Sequence, residues 1–128
     1  MVRISTKTER KSNMNEPGTV SQMITAEVTS WPGVEVDDGE LGELSFKVGR
    51  REIGHLHGEH VAHFSFPRST WTTLMEQHRI VPHPVFPDKR GPAERRIATE
   101  ADVRDVIDLL RFNYDRVAAR TESGSDAA

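Results

Sequence analysis

Leu44-Ser45-Phe46-Lys47-Val48-Gly49-Arg50-Arg51-Glu52-Ile53-Gly54-His55-Leu56-His57-Gly58-Glu59-His60-Val61-Ala62-His63-Phe64 is the run whose reading decides the fold. Leu44, Phe46 and Val48 alternate with Ser45 and Lys47, the period of a strand with one buried face. Gly49-Arg50 makes a tight turn, and Glu52 to His57 reads as the next strand. Gly58-Glu59 reads as a two-residue turn, with His60 to Phe64 as the returning strand. With that turn His57 opposes His60, His55 opposes Ala62 and Ile53 opposes Phe64. Opposed residues share a face. Ile53, His55, His57, His60, Ala62 and Phe64 are therefore expected on one face, and Gly54, Leu56, Val61 and His63 on the other. A slip of one residue would exchange the two sets.

Working outward, Thr19 with Gln22 fits a capping box, and Val20, Met23, Ile24, Val28 and Trp31 follow helical spacing until Pro32-Gly33. Val34-Glu35-Val36 is a short strand that turns at Asp37-Asp38-Gly39. After the hairpin, Pro67 suits a helix start, and Trp71, Leu74, Met75 and His78 share one side of that helix. Ile80 to Phe86 is expected to be extended, at a sheet edge or outside the sheet, because Pro82, Pro84 and Pro87 withhold backbone donors. Asp88 to Pro92 is a loop and Ala93 to Ile97 a last strand. Thr99 caps a final helix with Asp102 in its first turn, and Val103, Val106, Ile107, Leu110, Tyr114 and Val117 form its apolar stripe. The order α-β-β-β-β-α-β-α implies an α+β fold, a small antiparallel sheet with three helices packed mainly on one face. Residues 17–120 are expected to form one domain, with disordered tails at 1–16 and 121–128.

Composition excludes several classes. The 128 residues carry 17 Lys+Arg against 20 Asp+Glu, a formal net charge of -3, with six histidines and no cysteine. Without cysteine there is no disulfide framework, thiol nucleophile or thiolate metal site. Net negative charge argues against bulk nucleic-acid binding. No apolar run is long enough for a membrane span and no signal peptide opens the chain, so a cytoplasmic protein with no membrane partner is expected. No phosphate loop, dinucleotide fingerprint or serine elbow is present.

What remains is imidazole: four of the six histidines fall within residues 55–63. Neutral imidazole serves as a general base or a ligand near physiological pH. His55 and His57 are candidate catalytic residues, as is His83, held between Pro82 and Pro84. His60, Trp71, Arg90 and Arg96 are candidate ligand-binding residues. No carboxylate ligand set or HExxH spacing accompanies the histidines, so no cofactor is expected, and a histidine-only metal site is the weaker alternative. Glu59, in the turn, is expected to face water. Structural roles compete throughout: Trp71 as core or pocket wall, His78 as complement to a helix end, and Lys89, Arg90, Arg95 and Arg96 as a solvated basic surface.

The chain also resembles a known family. The blocks are Pro32-Gly33-Val34, then Glu43 through His57, Phe66-Pro67, His83-Pro84-Val85-Phe86-Pro87-Asp88, Glu100-Ala101-Asp102-Val103 and Leu109-Leu110-Arg111-Phe112-Asn113-Tyr114. Together they span about residues 31–117 and are similar to small prokaryotic luciferase-domain proteins related to fungal luciferases. After Asp88 relatives carry a small residue followed by Trp, whereas here Lys89-Arg90-Gly91-Pro92 follows. The resemblance implies oxygen-dependent oxidation, or binding, of a small organic molecule without flavin or nicotinamide. It would place His55, His57 and His83 near one site, with His55 or His57 as general base and His83 orienting the substrate. The alternative is a non-catalytic interaction module that uses the Lys89–Arg96 surface toward a protein partner or a second copy of the chain.

Overall fold

The computed structural model describes residues 18–122, with side chains through Arg120. Helix α1 (Val20–Val28) opens with the capping box: Thr19 Oγ1 accepts from the Gln22 N–H, and Gln22 Oε1 accepts from the Thr19 N–H. It buries Ile24 and Val28. Four strands follow, β1 (Val34–Asp38), β2 (Leu44–Val48), β3 (Arg51–His57) and β4 (Val61–Ser65). Then come α2 (Arg68–Glu76), β5 (Val81–Pro82), β6 (Pro92–Arg96) and α3 (Glu100–Glu122). The expected tails lie outside the described residues, except that Thr121 and Glu122 continue α3.

All strand pairs are antiparallel, and the sheet order is β1-β2-β3-β4-β6-β5. The architecture is the expected α+β one, with three helices and six strands among the described residues. The extended proline-rich run is shorter than expected. Only Val81–Pro82 pair, as the sheet-edge strand β5, and the chain then turns at His83, whose carbonyl accepts from the Phe86 N–H.

Helix α3 is the ridge on which the sheet sits. Its buried positions Val106, Leu109, Leu110, Asn113, Tyr114 and Val117 recur at helical spacing. Asp102 Oδ2 accepts from the N–H groups of Ala98 and Thr99, and Thr99 Oγ1 accepts from the Asp102 N–H, which closes the helix start. Leu110 lies over Gly54: a Cβ there would stand 2.5 Å from Leu110 Cδ2, so glycine is what lets α3 approach β3. Phe46, fully buried beneath them, contributes about 2–3 kcal/mol of burial. Tyr114 donates its hydroxyl to the Pro32 carbonyl and ties α3 to the segment after α1.

Two features of the hairpin correct the sequence reading. First, β3 and β4 pair as His55↔His63, Leu56↔Ala62 and His57↔Val61, so the connection is the three residues Gly58-Glu59-His60. Leu56, Ala62 and Phe64 then all reach the core, whereas a two-residue turn would split them between the faces. Second, Phe46 pairs with Gly54 but Lys47 with Glu52, which leaves Ile53 as the extra residue of a β-bulge. The bulge inverts the alternation, so Ile53 is buried with Leu56 instead of sharing a face with His55 and His57. Glu59 does not simply face water. Its carboxylate accepts from the N–H and hydroxyl of Ser21 and holds the start of α1 against the hairpin loop.

Candidate functional site

With the core on one side, the other side of β3, β4 and β6 presents His55, His57, His63 and Glu94. His63 replaces His60 in the set expected from the sequence. His60 is exposed in the loop, and only its carbonyl is engaged, by the Ile97 N–H. The His55 ring centroid lies 4.8 Å from that of His57 and 5.2 Å from that of His63, and His57 and His63 are 4.7 Å apart. His83 arrives from the loop after β5, 4.2 Å from His63, with Phe86 5.3 Å behind it. Three of the site candidates, His55, His57 and His83, thus converge around a fourth imidazole that the assumed register hid.

Carboxylates hold two of the four rings. The bulge brings Glu52 onto the face of His55, three residues away, and Glu52 Oε2 lies 2.6 Å from His55 Nδ1. In a regular strand these two side chains would point to opposite faces. Across β4 and β6, Glu94 Oε1 lies 3.0 Å from His63 Nε2. A carboxylate only accepts hydrogen bonds, so the proton sits on Nδ1 of His55 and on Nε2 of His63. In the neutral form of each ring the bare lone pair is then on His55 Nε2 and on His63 Nδ1. His63 Nδ1 is buried without a hydrogen-bond partner, on a residue only 9% exposed. His83 is fixed in the other sense, since its Nδ1 accepts from the Val85 N–H and Nε2 carries the proton.

The electrostatics follow from this packing. Burial pushes the His63 pKa down, its hydrogen bond to Glu94 opposes that shift, and the neighbouring His83, His57 and His55 add to it. The hydrogen bond from His55 is the main reason the Glu52 carboxyl lies below its ordinary range, with the charges of His55 and Lys47 assisting against burial. Burial thus favours the neutral form of His63, and the hydrogen bond from His55 favours the ionised form of Glu52.

Of the remaining candidates, Trp71 and Arg90 lie away from the cluster. Trp71 is partly buried against the core and donates its indole N–H to the Pro92 carbonyl, a packing role. Arg90 is exposed in a loop depression with Arg68, Asp88 and Lys89. Arg96, exposed and two residues along β6 from Glu94, shares the sheet face of the cluster and lines a cavity of about 350 Å³ with Glu94 and His78. Arg95 is not part of a free basic surface, because it bonds Asp102 and Asp105 of α3. His78 ends α2 in the left-handed conformation (φ 61°): its N–H reaches the Met75 carbonyl, and the Arg79 N–H reaches that of Leu74. Reading of the sequence missed His63, Glu52 and Glu94. The missed signal was sorting: only the shifted register together with the bulge puts Ile53, Leu56, Ala62 and Phe64 on one side.

A family model described as Luciferase domain matches residues 50–113. That span contains the four clustered histidines, both carboxylates and the segment of α3 that seats β3. No curated protein and no solved structure matches the chain.

Proposed function

Because residues 50–113 of the 128 match its model, the chain belongs to the Luciferase domain family, and we propose that its histidine face binds a small, electron-rich organic molecule and oxidises it with dioxygen. The observation that carries this reading is the convergence of His55, His57, His63 and His83, two of them oriented by carboxylates. An enol or phenol is the substrate class that suits it. The cluster takes the hydroxyl proton, and the resulting anion holds the electron pair that dioxygen accepts as a carbon–oxygen bond forms. The returned proton completes the hydroperoxide. His83, with its N–H fixed by the Val85 contact, is a donor that orients the substrate oxygen, and Phe86 supplies an apolar wall.

The test is oxygen uptake by the full, untagged chain with 4-hydroxy-2-pyrone and with catechol, alongside NMR of the imidazole resonances. Uptake above the protein-free rate, reduced at least about tenfold in His83→Ala, is the expected result, since positioning groups contribute on that scale or more. No uptake and no imidazole response to either compound would overturn the proposal.

A further inference from the structure

We propose that His55, His57 and His63 bind one divalent first-row transition-metal ion of the kind neutral imidazole prefers, such as zinc(II), cobalt(II) or copper(II). One ring nitrogen from each of the three lies within 4.8 Å of the other two. Three nitrogens bound tetrahedrally at about 2.1 Å stand about 3.4 Å apart, so small side-chain rotations of about 1 Å complete the set.

Two further observations point to an ion rather than to a packed histidine face. The first is the orphaned nitrogen. A buried polar atom without a partner is costly, about 1–3 kcal/mol, and His63 Nδ1 is such an atom, in a ring flanked by His55 and His57. The second is the pair of carboxylates. Metal-ligating histidines commonly give their other ring N–H to a carboxylate, and Glu52 and Glu94 do this for His55 and His63. Each leaves bare the nitrogen a metal would need.

Three protein ligands leave a coordination position open, the arrangement of catalytic rather than structural metal sites. His83 lies outside the ligand set, with its Nδ1 already bonded to the Val85 N–H. It stands beside the open position as a donor to whatever binds there. This deepens the proposed function and rests on the same face being reactive: a bound ion would favour the deprotonated enol or phenol by direct charge, where the bare cluster does so by accepting the proton.

The test uses the untagged full chain, stripped with chelator and titrated with zinc(II) by calorimetry and with cobalt(II) by visible absorption. One ion per chain, with the visible absorption of nitrogen-bound cobalt, is expected. His57→Ala changes an exposed residue and should retain the fold, and it should weaken binding at least about 100-fold. Glu94→Gln should weaken binding about 10–100-fold. His60→Ala and His78→Ala, both exposed and outside the cluster, should leave binding unchanged. Absence of stoichiometric binding overturns the inference, as does binding indifferent to His57→Ala or lost equally with His60→Ala. Oxygen uptake by the stripped chain, with no ion bound on titration, would sink the metal alone. Ion binding without any oxygen uptake would sink the proposed activity alone.

Discussion

Replacing Asn113 with leucine removes the one side chain that closes the backbone where β3 and β4 part. The strands pair from His57↔Val61 to His55↔His63, and beyond that point the carbonyls of Ile53 and Ser65 accept from Asn113 Nδ2, at 3.1 and 3.2 Å. Asn113 is 2% exposed, and Ile53 is fully buried. Leucine keeps the heavy-atom number and branching of asparagine, so the loss is chiefly polar. Leaving the buried Ile53 carbonyl unpaired costs about 1–3 kcal/mol, and the more accessible Ser65 carbonyl adds about 0.5–1 kcal/mol after water replaces the amide. The sum is about 1.5–4 kcal/mol, a fall in Tm of about 7–20 °C for a domain near 100 residues. Urea denaturation followed by far-UV circular dichroism reads it directly, with an unchanged slope showing that the unfolded state is the same. Asn113→Asp should cost more at neutral pH, since a carboxylate would face two carbonyls, and should recover in part under acid, when the protonated group can donate one bond. A loss below about 0.5 kcal/mol for the leucine variant would refute the argument that this amide stands in for the missing ladder.

Gly54→Ala places a methyl 2.5 Å from Leu110 Cδ2 and 3.1 Å from Phe64 Cδ1, so it should destabilise by about 1–3 kcal/mol. In Leu110→Ala the same change should cost clearly less, and equal costs in the two backgrounds would show that the close approach of α3 is not the cause. Asp102 is held at a pKa of about 2, below its ordinary 3.8, first by the Ala98 N–H and then by the Arg95 side chain. A depressed carboxylate stabilises the fold above the unfolded value, and that contribution disappears as pH falls from about 4 to about 2. After solvent screening it amounts to about 1 kcal/mol. Stability measured against pH should therefore converge for the native chain and Asp102→Asn across that window, and parallel curves would contradict it.

Much of the fold is legible in the sequence because its signals are local. The capping box at Thr19 and Gln22, the alternation of Leu44, Phe46 and Val48, and the stripe of α3 each act within one or two turns or a single strand. They appear in the structure where the residues place them. Val81–Pro82 at the sheet edge follows from missing donors in the same way. Family membership was legible too, in short blocks that the match over residues 50–113 confirms.

The site was only half legible, because a strand face depends on register and register is a long-range decision. The sequence by itself determined that imidazole, not thiolate, is the chemistry available, and it singled out His55, His57 and His83 as candidates, which the structure brings together around His63. It did not show that Ile53 bulges or that the hairpin loop takes three residues. Both outcomes are set by burial: α3 needs Gly54 beneath Leu110, and the core needs Leu56, Ala62 and Phe64 together. Once those demands are met, His63 must turn away from the core, Glu52 must come round to His55, and Glu94 must stand across from His63. Hydrophobic burial on one face of the sheet thus assembled the polar cluster on the other.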